Sequence, residues 1–162
     1  MLTSLRVRDL AIAASLDVEL HPGLNVITGE TGAGKSLLVD ALELLAGARA
    51  RGELVRAGAA EAVVEAAFDL GVLPATRERL VGMLGDVDDE LILRRQVRAE
   101  GRSRAFVNGT LATAVQLAEL APGLLDICSQ HEHHTLVDPS THVSYLDEFG
   151  KLHVQADAVR AA

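Results

Sequence analysis

Eight consecutive residues at positions 29–36, Gly-Glu-Thr-Gly-Ala-Gly-Lys-Ser, fit the phosphate-binding P-loop pattern G-x-x-x-x-G-K-[ST]. The glycines allow a tight turn that brings backbone N–H groups against phosphate oxygens. Lys35 supplies a positive charge that can reach the β- and γ-phosphates, and the Ser36 hydroxyl can coordinate Mg²⁺. The pattern therefore predicts a site for a nucleoside triphosphate and Mg²⁺ along Gly29, Glu30, Thr31, Gly32, Ala33, Gly34, Lys35 and Ser36.

The residues on both sides of this loop have the order that a P-loop requires. Residues 24–28, which are rich in β-branched side chains, predict a buried strand before the loop. Residues 37–46 predict a helix after it, with only Asp40 and Glu43 facing water, and Gly47 is a typical C-terminal stop. The positive end of the helix dipole would then point at the bound phosphates.

The composition narrows the class of protein. At 162 residues the chain has the length of one domain, and its 49% apolar residues include only 2% aromatic ones. The single cysteine, Cys128, cannot form an internal disulfide, which is typical of a reducing cytosol, and no apolar stretch is long enough for a membrane span. A net charge of −8 argues against a domain that coats nucleic acid through overall positive charge.

Alternation of apolar residues predicts strands, and longer amphipathic stretches predict helices. The predicted strands are residues 2–8, 16–20, 24–28, 62–70, 91–97, 102–107 and 124–128. A helix begins at Pro74 and ends near Leu84, a second is capped by Thr110 or Thr113 and ends at Leu120, and the chain is helical from Ser140 with a break at Gly150. An antiparallel entry that leads into a buried strand predicts a mixed sheet.

The strands at residues 91–97 and 102–107 predict a hairpin around Glu100-Gly101, and Asn108-Gly109 predicts a second turn. Five arginines lie within eleven residues of this hairpin: Arg94, Arg95, Arg98, Arg102 and Arg104. They could contact DNA phosphates as part of a wider surface, close over a phosphate as in small kinases, or simply form the solvated face of the hairpin. Alternation places Arg94, Gln96 and Arg98 on the face opposite Leu91, Leu93 and Val97.

Several segments together resemble the start of the RecN family, the bacterial DNA double-strand-break repair ATPases related to the SMC proteins. They are GLNVITGETGAGKSLLVDALELLAGARA, ELVRAG, VVEAAFDL, RRQVRAEGRSRAFVNG and LLDICSQHEHHTLVD. The resemblance implies an α/β P-loop NTPase: the N-terminal lobe of an ABC-type ATPase head, with a mixed sheet and an antiparallel β subdomain. Residues 1–138 would form this lobe, and residues 139–162 would be a helical segment leading toward a coiled coil absent from this chain.

The resemblance also implies site residues. Lys35 and Gln130 would be catalytic, Ser36 and Gln130 would hold Mg²⁺, and Arg56 in the ELVRAG segment would reach the nucleotide. Ser129 stands where the family usually has glycine before this glutamine, and His134 stands where a further glutamine is expected.

Partners follow from the same resemblance. The first is the protein's own C-terminal lobe, which carries the signature motif and Walker B. The others are a second identical head, with ATP between the two heads, and DNA bound by the assembled protein. No membrane contact is expected. The complete protein would be a cytoplasmic, nucleoid-associated ATPase, and this chain alone would be inactive.

Two alternatives stay open at this point. The chain could be a self-contained small P-loop kinase with the arginine hairpin as its lid, or a non-catalytic nucleotide-binding assembly module. No Ser-Gly-Gly type signature motif occurs in the 162 residues, and Asp147-Glu148 lacks the apolar strand that a Walker B motif requires. These absences favour a half-site that needs a second polypeptide segment.

Overall fold

Six antiparallel strands form the centre of the computed structural model, which describes residues 1–28, 32–127, 139–150 and 152–160. The strands are β1 (Leu2–Leu10), β2 (Ala13–Glu19), β3 (Glu61–Asp69), β4 (Glu90–Arg98), β5 (Ser103–Val107) and β6 (Thr110–Ala112). Their order in the sheet is β2-β1-β3-β4-β5-β6, and every pairing among them is antiparallel. The predicted antiparallel β subdomain is confirmed, whereas the described strands contain no parallel pair of the predicted mixed sheet.

The helices are α1 (Gly32–Leu45), α2 (Pro74–Leu84), α3 (Ala114–Leu120), α4 (Pro139–Phe149) and α5 (His153–Arg160), and a 3₁₀ turn covers Gly52–Leu54. Helix α2 has the predicted bounds, because Pro74 takes the first turn, where a missing N–H costs nothing. The prediction of a helix from Ser140 with a break at Gly150 is also confirmed. Asp147-Glu148 lies within α4, so it does not follow an apolar strand.

The inner face of the sheet is the hydrophobic core. In β3 every second residue is buried, from Ala62 to Phe68, as the alternation predicted. Helix α1 packs against β1, β3 and β4 and contributes five buried residues: Leu37, Leu38, Ala41, Leu44 and Leu45. The apolar stripe of the P-loop helix therefore fixes this helix against the sheet.

Helix α3 fits tightly against the end of α1. Gly47 ends α1 with a positive φ of 91°, and a Cβ there would lie 2.6 Å from the Ala114 carbonyl oxygen and 2.8 Å from the Ala118 Cβ. Thr113 caps α3 in a capping box with Gln116, which confirms the prediction of a threonine cap. A side chain at position 47 would force the two helices apart.

Arg79 joins α2 to the other end of α3. Its guanidinium donates at 2.9 Å to each of the Glu119 and Leu120 carbonyl oxygens, and also to the carbonyl of Pro122. These carbonyls belong to the last turn of α3 and the segment after it, where intrahelical partners run out. A single side chain thus supplies the donors that the helix end lacks.

Two consecutive hairpins confirm the turn predictions. Strands β4 and β5 pair from Leu93↔Val107 to Val97↔Ser103. Strand β5 then turns into β6 through Asn108 and Gly109, whose φ angles of 47° and 80° are those that an Asn-Gly hairpin requires. The Asn108 side chain also accepts a 2.7 Å hydrogen bond from the Ile92 amide, so this turn is held to β4.

The predicted buried strand at residues 24–28 is wrong for this structure. These residues form no strand, and Leu24 is 91% and Val26 72% exposed. A strand needs a neighbour to take its backbone hydrogen bonds, and none of the six described strands lies beside this segment. Asn25 instead ties the chain into a local turn: its Nδ2 donates to the His21 carbonyl at 2.8 Å, and its Oδ1 accepts from the His21 amide at 3.1 Å.

The predicted strand at residues 124–128 is also wrong over residues 124–127, whereas Cys128 lies outside the described residues. The amides of Leu124 and Leu125 both donate to the Ala121 carbonyl, at 2.9 and 3.0 Å. Gly123, with φ 78°, makes this turn possible at the end of α3. Because these amides are bonded within the turn, they cannot join a sheet.

The chain divides into two compact units, Met1–Asp126 and Ile127–Ala162. The first contains the whole sheet with α1, α2 and α3, and the second contains α4 and α5. Across the described ranges, none of these helices combines the length and apolar character needed to cross a bilayer. The boundary at residue 138 remains a prediction.

Candidate functional site

The second half of the P-loop forms the first turn of α1. This helix begins at Gly32, so Gly34, Lys35 and Ser36 lie in its N-terminal turn, whereas Gly29, Glu30 and Thr31 are outside the described residues. Gly34, Lys35 and Ser36 are exposed, and the buried residues of the helix start immediately afterwards at Leu37. The residues of the phosphate-binding pattern therefore lie at the exposed N-terminus of α1, and the apolar stripe of the helix packs against the sheet.

The start of α1 has the properties of an anion site. The first N–H groups of a helix have no intrahelical acceptor and lie at the positive end of the dipole. No acidic residue occupies the first turn of α1, and among the described residues no carboxylate is within ion-pair distance of Lys35. The residues present thus fit phosphate oxygens, with Lys35 as a free charge and Ser36 as a hydroxyl suited to Mg²⁺.

Arg56 is held at the turn between β1 and β2. Its amide donates to the Asp9 carbonyl at 2.8 Å, and its Nη1 lies 3.7 Å from the Asp9 Oδ1. Two further contacts join the same two segments: the Ala11 amide donates to the Leu54 carbonyl at 2.7 Å, and Leu10 forms a β-bridge with Val55. The side chain of Arg56 is nearly half exposed, so it remains available to a ligand.

The β1–β2 turn has an unusual backbone. Asp9 and Ala11 both adopt a positive φ, 48° and 50°, which costs free energy for residues with a Cβ. Ile12, directly after them, is 71% exposed. Sequence reasoning did not predict Asp9 as the partner of Arg56, because their contact joins residues 47 positions apart and leaves no local pattern.

The arginines of the hairpin divide between the two faces of the sheet. As predicted, Arg94, Gln96 and Arg98 lie on the face opposite the buried Leu91, Leu93 and Val97. Arg94 packs over the ring of Phe106 with 5.1 Å between the guanidinium carbon and the ring centroid. Arg95, in contrast, is on the inner face and only 3% exposed. The adjacent pair Arg94-Arg95 already indicates that one arginine faces inward, because two adjacent residues of a strand point to opposite faces.

The remaining predicted site residue, Gln130, lies outside the described residues. Within the ranges that the structure describes, no group of three or more His, Cys, Asp or Glu side chains is arranged to hold a metal ion. The structure thus brings together Gly32–Ser36 at the start of α1 and places Arg56 at the β1–β2 turn of the same compact unit.

Comparison with known proteins gives a consistent result. The family model described as an AAA domain matches residues 4–81. The chain is 41% identical, over all its 162 residues, to the DNA repair protein RecN of Xylella fastidiosa strain Temecula1, and 40% identical over 161 residues to that of Bacillus subtilis strain 168. It covers 29% and 27% of these two proteins, so it spans less than a third of the relatives that it matches.

The fold is that of known ATPase heads. A solved structure from work on ATP-driven dimerization and DNA-stimulated activation of SMC ATPases superimposes with a TM-score of 0.62 and 20% sequence identity. The match covers 90% of this chain and 90% of that one. The combination of a P-loop helix with an antiparallel β subdomain is therefore the N-terminal lobe of an ABC-type P-loop fold.

Proposed function

The chain belongs to the RecN family of DNA repair proteins, and we propose that it forms the ATP-binding part of an SMC-like ATPase head acting in double-strand break repair and recombination. One observation carries the proposal: the similarity to RecN runs along the whole chain and includes a P-loop whose second half opens a helix packed on the sheet. Hydrolysis then belongs to the complete protein.

Lys35 and the backbone of Gly32–Ser36 bind the phosphates in this proposal, together with Gly29, Glu30 and Thr31 before them. The exposure of Gly34, Lys35 and Ser36 and the absence of acidic residues from the first turn of α1 support this role. The Ser36 hydroxyl and Gln130 would hold Mg²⁺, which would supply positive charge that neutralises the charge developing on the phosphates. Gln130 would also sense the γ-phosphate.

Arg56 reaches the nucleotide from the β1–β2 turn. Its partial exposure and its single carboxylate partner at 3.7 Å support this role, because such a loose pair exchanges easily for a phosphate contact. The backbone contacts of residues 54–56 with residues 9–11 hold the arginine in place before a ligand arrives. Less backbone entropy of this segment is then lost on binding.

The C-terminal lobe of the head is the first partner in this proposal. The apolar and exposed residues 24–28 support it, since they have a strand-like sequence and no described strand beside them. The lobe also brings the signature motif and the Walker B carboxylates. A second head across ATP, and DNA bound by the assembled protein, complete the set of partners, and the protein acts in the cytoplasm at the nucleoid.

ATP binding and phosphate release by this chain test the proposal. We expect Lys35→Ala to weaken the binding of a fluorescent Mg-ATP analogue by about tenfold or more, because a charged contact is removed. Arg49→Ala is the matched control: it removes an exposed positive charge just beyond α1 and leaves affinity within about twofold. Unchanged affinity in Lys35→Ala would contradict the P-loop assignment.

The rate of phosphate release from ATP distinguishes a half-site from a complete active site. We expect wild-type chain alone to release phosphate no faster than Lys35→Ala. Adding the C-terminal lobe of a RecN relative should produce release that depends on Lys35. Turnover by the wild-type chain alone, absent in the variant, would show that the general base lies within these residues and would refute the half-site.

A further inference from the structure

Two segments that are far apart in the sequence are fixed to each other at the β1–β2 turn. Residues 9–11 and residues 54–56 share two amide-to-carbonyl hydrogen bonds and the β-bridge between Leu10 and Val55. Leu10 is fully buried and Val55 is buried as well, so this junction is part of the hydrophobic core. The two segments are therefore held side by side by packed main chain, independently of any contact between their side chains.

The charged groups at this junction are close to each other but are not hydrogen-bonded. Arg56 Nη1 lies 3.7 Å from Asp9 Oδ1, whereas a charge-assisted hydrogen bond measures about 2.7–2.9 Å. Within the described ranges, neither side chain has another ion-pair partner. Both are partly exposed, 46% for Arg56 and 39% for Asp9. An anion that approaches Arg56 therefore meets a guanidinium with Asp9 as its counter-ion.

The backbone of the turn limits what can replace Asp9. Its φ of 48° lies in the left-handed region, which costs free energy for a residue with a Cβ and costs least for aspartate and asparagine. Asparagine also has nearly the shape of aspartate and lacks its charge. The substitution Asp9→Asn therefore separates the effect of the carboxylate charge from any effect on the turn.

We propose that Asp9 is the resident counter-ion of Arg56 and that a bound nucleotide displaces it, so that this carboxylate weakens nucleotide binding. Phosphate and carboxylate compete for one guanidinium, since both accept its N–H groups in the same forked geometry. Asp9 thus acts on the nucleotide through Arg56. The inference rests on the proposed function, in which Arg56 reaches the nucleotide.

The opposite role for Asp9 predicts the opposite result. If the carboxylate held Arg56 in the conformation that binds phosphate, removing its charge would weaken nucleotide binding. The 3.7 Å separation argues against this role, because a carboxylate orients a guanidinium through short, directed hydrogen bonds. The sign of the change in affinity therefore decides between competition and orientation.

The test is the dissociation constant of the fluorescent Mg-ATP analogue for wild type, Asp9→Asn, Arg56→Gln and the double variant. We expect Asp9→Asn to tighten binding about two- to fivefold, the change that corresponds to removing one exposed ion pair. With Arg56→Gln already present, Asp9→Asn should alter the constant less than about 1.5-fold. Asp17→Asn is the matched control, because it removes an exposed carboxylate that is also paired with arginine and changes the net charge equally.

A gain in affinity cannot result from poor folding, so a tighter Asp9→Asn variant whose gain requires Arg56 supports the proposal. The ratio of the two constants should also shrink at high salt, which screens exposed charges. Unchanged or weaker binding by Asp9→Asn would overturn the proposal, as would an equal gain in Asp17→Asn or in the Arg56→Gln background.

Lys35→Ala distinguishes a failure of this inference from a failure of the proposed function. If Lys35→Ala leaves the affinity unchanged, the P-loop assignment and the role of Asp9 fail together. If Lys35→Ala weakens binding and Asp9→Asn does not tighten it, the P-loop assignment stands and the role of Asp9 alone is refuted.

Discussion

The antiparallel sheet and residues 24–28 have similar strand-like sequences but opposite structures. In β3 and β4 the apolar residues of the inner face are buried, and every neighbouring strand comes from the same chain. Leu24 and Val26 are as apolar, yet they are exposed, and no described strand pairs with them. The comparison teaches that alternation gives a strand only where the same chain also supplies the neighbours.

The largest expected effect comes from making the same substitution in both regions. Leu93 is fully buried in β4, so Leu93→Ala should lower the free energy of unfolding by about 2–5 kcal/mol, through lost burial and the cavity left behind. Leu24→Ala, at a position 91% exposed, should change it by less than about 0.5 kcal/mol. Urea denaturation of both variants measures this difference, and equal losses would mean that residues 24–28 are packed in solution.

An intermediate effect on stability is expected at the start of α3, a helix whose N-terminal cap is formed entirely by residues of this chain. Thr113→Ala removes the capping box with Gln116 and should cost about 1 kcal/mol, measured by thermal or urea unfolding. Thr110→Ala is the matched control, since Thr110 is exposed in the short β6 and should have a smaller effect. Similar costs for both would show that the cap is not what stabilises α3.

The smallest effect should come from the outer face of the sheet. Asp17 lies 3.0 Å from Arg8 Nη2 and 3.8 Å from Arg6 Nε, with all three side chains about half exposed. Solvent screens such pairs, so Asp17→Asn should cost less than about 1 kcal/mol, and the loss should shrink further in high salt. A salt-independent loss of several kcal/mol would show that charges on the outer face, and not inner packing, hold the sheet.

The same distinction explains how much the sequence could predict. The bounds of α2, the alternation of β3, the Asn108-Gly109 turn and the Thr113 cap all depend on residues close in sequence, and all were predicted. The failures at residues 24–28 and 124–127 depend on whether a neighbouring strand is present. No pattern within a segment reports on that.

The candidate site follows the same rule. The P-loop is a local motif, and its second half lies at the start of a helix as expected. The contact between Arg56 and Asp9 joins distant segments, so only the fold reveals it. Arg95 is an intermediate case, since the doublet with Arg94 requires one arginine to face inward, although its bond with Ser103 had to be observed.

The position of α3 between two attachments has a mechanical consequence. Ala114 and Ala118 of α3 lie close to Gly47 at the end of the P-loop helix, and the last carbonyls of α3 accept hydrogen bonds from Arg79 of α2. The three helices are thus connected in series: α3 lies so close to Gly47 that a Cβ there has no room, and the Arg79 guanidinium connects α2 to the end of α3. A tilt of α1 would therefore reach α3 first, at Gly47, and α2 only through the hydrogen bonds of Arg79.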